Sequence, residues 1–151
     1  MIILDFTDDS NTLVAQPIFT VELVLVIATN HPLAELEEVL DDDLKPHMDL
    51  VVRDSSPKYA HTPKESTFMN SKNLLFLSDF HSKRLALLGG IGYGWMPRYL
   101  IEEDLQEQRL VLIKKEINSW SYSPSLVTRK DHSLGKAGQL FIDTLLNHQN
   151  I

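Results

Sequence analysis

Branched apolar residues dominate Val21 to Thr29, "VELVLVIAT", and a run of this length and composition predicts a buried β-strand. Asn30, His31 and Pro32 end it, because Pro32 lacks a backbone N–H and restricts His31 to extended conformations. Shorter apolar runs predict further strands at Ile2 to Phe6, closed by the acidic turn "TDDSN", and at Leu50 to Arg53, closed by the turn residues Asp54 to Pro57. Leu74 to Leu77, Arg109 to Ile113 and Ser125 to Arg129 read the same way. Between the strands the period lengthens. A short helix is expected over Leu36 to Leu40. Phe80, Arg84, Leu85, Leu87 and Leu88 define one face of a second helix behind an N-cap at Ser78 or Asp79. Gly89 and Gly90 end that helix, since both accept positive φ at little cost. Ile91 to Met96 predicts a strand in which the glycines at 90, 92 and 94 leave one face bare, so a neighbouring element or a ligand must approach that backbone closely. Pro97 opens the helix "PRYLIEED", and Leu134, Ala137, Leu140, Phe141 and Leu145 line a face of a last helix. Residues 57–71 are polar and irregular. Strands alternate with helices throughout, which is the pattern of an α/β fold.

Composition narrows the functions such a fold could carry. A chain of 151 residues has the size of one ordinary domain, and 14 Lys and Arg against 21 Asp and Glu leave a formal charge of −7. Nothing basic is offered to DNA or to an anionic membrane. Cysteine is absent, which excludes disulfides and thiolate chemistry and suits a reducing cytoplasm. Asp5, Asp8 and Asp9 break any leader peptide, and the best apolar run falls far short of the ~20 residues a membrane helix needs. The six histidines, at 31, 47, 61, 81, 132 and 148, show no metal-binding pair, and neither "HExxH" nor "GxSxG" occurs. No catalytic residue, metal or cofactor is expected. "GGIGYG" lacks the spacing of a dinucleotide fingerprint and the lysine of a phosphate loop. Asp41, Asp42 and Asp43 are read as a solvated helix or loop end.

The segments "ELVLVIATNHPLA", "LVVRDSS", "LSDFHSKRLALLGGIGYGWMP" and "LIEEDLQEQRLVLI" resemble, in sequence and in order, the effector-binding domain of LysR-type bacterial transcriptional regulators. The resemblance covers nearly the whole chain. It implies an α/β fold like that of type II periplasmic binding proteins, two lobes joined by crossing strands, with a small effector in the cleft. It further implies one complete lobe, 29–112, and a partial one formed by 1–28, which includes a crossing strand, and by 113–151, which supplies the return strand and C-terminal helix. The helix-turn-helix of such regulators has no counterpart here, so DNA would be reached only through a domain outside this chain.

An effector in an open α/β sheet belongs beyond the carboxyl ends of strands, where helix N-termini offer N–H groups to an anion. Three segments are expected there: Asp54, Ser55 and Ser56; Ser78, Asp79, Phe80 and His81; and Gly90, Ile91 and Gly92. The resemblance adds Thr7, in the loop after the first strand. For Ser78 and Asp79 helix capping is the stronger alternative, and for Ser55 and Ser56 it is an equal one. Two functions stay open: a metabolite sensor, with a small carboxylate among the candidate effectors, or a remnant serving only in interaction or dimerisation. A cytoplasmic homodimer is expected, because a partial lobe leaves sheet edges and an apolar helix stripe uncovered.

Overall fold

A computed structural model describes residues 2–3, 12–52, 73–131 and 134–147. The expected strand residues 4–6, the turn after them, the strand end and turn at 53–57 and the polar stretch 57–71 lie outside these. The chain forms two compact units, 1–21 with 121–151 and 22–120.

The larger unit is built on a six-stranded sheet. Its strands are β3 (Val21–Ala28), β4 (Met48–Val52), β5 (Leu74–Leu77), β6 (Gly92–Pro97) and β7 (Leu110–Leu112), in the order β5-β4-β6-β3-β7, and β8 (Ser119–Tyr122) also pairs with β3. β4 runs parallel to β5 and β6, whereas β3 runs antiparallel to β6 and β7. The unbroken apolar run of β3 has a direct cause. Val24, Val26 and Ala28 join one core cluster with Leu50, Leu87, Met96 and Ile101, while Leu25 and Ile27 join another with Leu33, Val39, Leu44 and Tyr93. A strand buried on both faces has no solvent side to mark with polar residues.

Four expectations are corrected here. No helix forms over Leu36 to Leu40. Val39 gives its N–H to the Lys114 carbonyl at 2.8 Å, and Leu40 gives its own to the Asp43 carboxylate at 2.8 Å. The helix forms instead just after that stretch, as α1 (Asp41–Leu44), with the acidic run in its first turn where the helix dipole favours it. Secondly, α2 (Phe80–Leu88) presents Lys83, Ala86 and Leu87 to the core, whereas Leu85 is 54% exposed. Thirdly, of the two glycines that end α2, Gly90 takes positive φ, at 69°, while Gly89 stays right-handed at −74°. Lastly, α4 (Lys136–Asn147) half-buries Gly138, Ile142, Leu145 and Leu146, so its packed side is rotated from the expected one. Leu140 and Phe141 stand 68% and 58% exposed.

The bare face of β6 is filled by a neighbour. A Cβ on Gly92 would lie 2.1 Å from the Met48 carbonyl oxygen, and one on Gly94 would meet the Leu50 carbonyl at 2.8 Å and the Lys83 side chain at 2.7 Å. The glycines let β4 approach and give the buried Lys83 room. Between β6 and β7, α3 (Arg98–Gln106) buries Ile101 and Asp104. The smaller unit holds a three-stranded antiparallel sheet, β1 (Ile2–Ile3), β9 (Ser125–Arg129) and β2 (Leu13–Pro17), with β9 central.

Candidate functional site

Strand register decides which expected site residues share an end of the sheet. Val52 of β4 pairs with Leu77 of β5, so Ser78 and Asp79 follow at the carboxyl end, and β6 delivers Pro97 and Arg98 to that same end. Met48 pairs with Gly92 at the amino end. Gly90, Ile91 and Gly92 are thus separated from Ser78, Asp79, Phe80 and His81 by the length of β4, four steps or about 13 Å. Grouping them in one site is corrected by this topology, since a strand's start and the starts of the helices lie at opposite ends. Gly90 shapes the exit of α2, and Gly92 makes room for Met48. Thr7, Asp54, Ser55 and Ser56 lie outside the described residues; the last three follow β4 in sequence.

At the carboxyl end the start of α2 carries its own anion. The Asp79 carboxylate accepts the Ser82 backbone N–H at 2.8 Å, the Ser82 hydroxyl at 3.2 Å and the Ser78 hydroxyl at 2.6 Å. The Ser78 hydroxyl, then the Ser82 N–H, hold the Asp79 carboxyl below the usual carboxylate range. Asp79 therefore caps the helix in this structure, and Ser78 braces its carboxylate. The positive end of the helix is already answered by a charge, so an acidic ligand gains little from that terminus.

Phe80 and His81 face elsewhere. With Arg84, Leu100 and Glu103 they line a hollow of about 340 Å³ between α2 and α3. Both helices begin at the carboxyl end, and residues three or four apart fall on one face of each. That spacing is the signal by which Arg84, Leu100 and Glu103 could have been read from sequence beside Phe80 and His81.

Arg84 is held by a buried carboxylate. Its Nε and Nη2 donate to Asp104 at 2.5 and 2.8 Å, and Arg109 donates to the same carboxylate through Nε at 3.0 Å and Nη2 at 2.8 Å. Asp104 is fully buried. Burial opposes its charged form, but the hydrogen bonds and charges of Arg84 and Arg109 outweigh it, keeping the carboxyl below the usual range. A bidentate pair of this kind fixes the guanidinium plane, so Arg84 reaches the hollow pre-oriented, with N–H donors to spare. The hollow thus combines apolar walls from Phe80 and Leu100 with a cationic edge, a carboxylate and an imidazole. Among the described residues no group of three or more metal-ligating side chains converges, and no helix is long and apolar enough to cross a membrane.

Comparison with known proteins places this architecture. The chain is 28% identical over 131 residues to the uncharacterized HTH-type transcriptional regulator YeeY of Escherichia coli strain K12, covering 86% of this chain and 41% of YeeY. It therefore spans less than half the length of that relative. The regulatory domain of Synechocystis PCC6803 CcmR in complex with 2-PG superposes with a TM-score of 0.72 at 15% identity, covering 99% of this chain and 72% of that one. The effector binding domain of QuiR in complex with shikimate gives 0.68 at 18% identity, with 95% and 68% covered. These likenesses establish a mixed α/β fold of the periplasmic-binding-protein-like kind found in LysR regulatory domains. The family model described as LysR substrate binding domain matches residues 1–150, so the chain belongs to that family, whose members are transcriptional regulators and not enzymes.

Proposed function

We propose that this chain is the effector-sensing domain of a LysR-type transcriptional regulator working in the cytoplasm, and that it takes a small metabolite at the carboxyl end of β4 and β5. The observation that carries this reading is the hollow between α2 and α3. It is a half-open surface hollow in which the exposed Phe80, His81, Leu100 and Glu103 and the half-buried Arg84 set apolar and polar groups side by side. That CcmR and QuiR were solved with 2-PG and shikimate supports a ligand of that size class. The matching ligand has an apolar edge for Phe80 and Leu100, an acid group for Arg84 and a hydroxyl to donate to Glu103. His81, and Asp54, Ser55 and Ser56 after β4, complete the set. The bound metabolite shifts the domain between conformers only by its differential affinity for them, and that shift is passed to a DNA-binding domain.

A thermal-shift screen of small carboxylates and aromatic acids is the first test, since a specific ligand raises the melting temperature by mass action. With a hit in hand, Ser55→Ala with Ser56→Ala, and separately Leu100→Ala, should each weaken binding several-fold in calorimetry on a folded protein. Unchanged affinity in both variants would overturn this location.

A second reading is favoured by one observation. Leu140 and Phe141 of α4 are more than half exposed, beside Leu134 at 44%. An apolar stripe of this kind supports a homodimer, because two-fold association covers the same patch on both copies.

A further inference from the structure

We propose that His31 and His47 form a proton-operated latch, which holds the turn after β3 against the turn before β4 at neutral pH and releases it on acidification. The inference is independent of where the effector binds, since both histidines lie at the amino end of β4.

Geometry sets the neutral state. His31 caps the 3-10 turn Pro32–Ala34: its Nδ1 accepts the Leu33 N–H at 3.2 Å, and its carbonyl accepts the Ala34 N–H at 2.9 Å. A nitrogen that accepts carries no proton, so the cap requires the tautomer protonated on Nε2 alone. His31 is buried, at 8% exposure, and His47 packs against its ring edge-on with centroids 4.7 Å apart and planes at 68°. Leu33, which the cap positions, is buried with Val39 and Leu44 of the intervening chain.

Protonation attacks this arrangement twice. On Nδ1 it sets a donor against a donor. The His47 ring, 4.7 Å away, adds charge repulsion against a protonated His31. Among the described residues, the acidic side chains on the elements around the pair are Glu35 at the end of the turn, Asp42 and Asp43 of α1, and the buried Asp49 of β4; Asp42 is paired with Lys45 and the Asp43 carboxylate accepts the Leu40 N–H, while Arg109, whose carbonyl accepts the Thr29 N–H, is held by Asp104 and Glu107. The Gly90 and Ile91 turn beside Asn30 brings no charge. Burial, and then the charge of His47, lower the His31 pKa from its ordinary 6.5. The sign follows. With the latched pKa depressed, the open form binds more protons below pH 6.5, so the latch is fully closed above that value and weakens as pH falls toward the depressed one.

Amide hydrogen exchange at Leu33 and Ala34, measured on the intact chain from about pH 7.5 down to about pH 5 across the histidine range, reads the latch directly. After correction for intrinsic rates, protection should fall about tenfold or more across that span. His31→Asn, whose Oδ1 accepts at every pH, should hold protection level, and His47→Gln should reduce the fall. Constant protection in the wild type, or an equally steep loss in H31N, would overturn the latch. Should H31N not fold, H47Q decides alone: a smaller loss supports the proposal, and an unchanged loss refutes it.

Discussion

Gly92→Ala tests the packing of the larger unit at its tightest point. The added methyl carbon would sit 2.1 Å from the Met48 carbonyl oxygen and 2.9 Å from both Met48 C and Cβ. Ordinary contact at such a pair needs more than 3 Å, and two of the three obstructing atoms are backbone. Relief requires β4 and β6 to part by roughly 1 Å at the Met48 and Gly92 pairing, which strains the parallel ladder that positions the carboxyl end of the sheet. Overpacking that must move backbone lies at the upper end of the usual range, about 3 kcal/mol, or roughly 6–12 °C in melting temperature for a chain of this size. Gly89→Ala supplies the control. Its φ of −74° suits any residue, and the nearest atom to a new Cβ is 3.4 Å away, so the lost backbone freedom of the unfolded chain should leave it neutral or about 0.5 kcal/mol more stable. Urea unfolding followed by circular dichroism reads both, with equal m-values expected. If Gly92→Ala came within about 0.5 kcal/mol of wild type, the close approach of β4 would not explain that glycine, and the ligand alternative for the bare face would return.

Two further outcomes follow from the same structure. Asp104→Ala strips the carboxylate from two guanidiniums; because both Arg84 and Arg109 reach water, the cost should be about 2–3 kcal/mol, below that of a fully buried pair. The wild-type advantage should persist above the ordinary carboxylate value of 3.8 and vanish as pH falls through the depressed pKa of Asp104, which unfolding curves of both proteins at neutral and acid pH would show. On α4, Leu140→Glu with Phe141→Glu should convert a dimer at low micromolar concentration into a monomer by light scattering; a wild-type monomer would dismiss the second reading.

Apolar runs announced most of the strands, whereas β2 (Leu13–Pro17) and β8 (Ser119–Tyr122), exposed or half-buried and mixed in composition, left no such trace and were not expected. The run from Val21 to Ala28 needs no partner to be recognised, and Leu74 to Leu77 and Ser125 to Arg129 were bounded to the residue. Helix faces were less legible. In α2 the buried position between the apolar ones is Lys83, whose burial depends on the space left by Gly94, eleven positions along the chain. Hydrophobic pattern cannot assign a lysine to a core. The helix expected at Leu36 failed for a similar reason: the Lys114 carbonyl that takes the Val39 N–H comes from a distant segment.

The site was half legible for a physical reason of its own. Sequence marks where helices begin, and the N-cap at Asp79 was read that way; it does not mark which end of a sheet a glycine turn will occupy, because that depends on whether neighbouring strands run parallel. Once β4 and β6 are seen to be parallel, Gly90 to Gly92 fall at the opposite end from Phe80 and His81, which share the proposed site with Arg84, Leu100 and Glu103. The exchange also alters the chemistry. A site made of helix N-termini and glycine amides would select an anion through backbone dipoles, but Asp79 already occupies the α2 terminus. In the proposed site the group that would read an acid is a side chain, Arg84, whose orientation rests on Asp104. Specificity at this end should therefore depend on a buried carboxylate that never touches the ligand. Asp104→Asn, which keeps the shape but weakens the grip on the guanidinium, should lower affinity for acidic ligands more than for neutral analogues; calorimetry with a matched acid and amide pair decides, and equal losses for both would show that Arg84 does not read the acid.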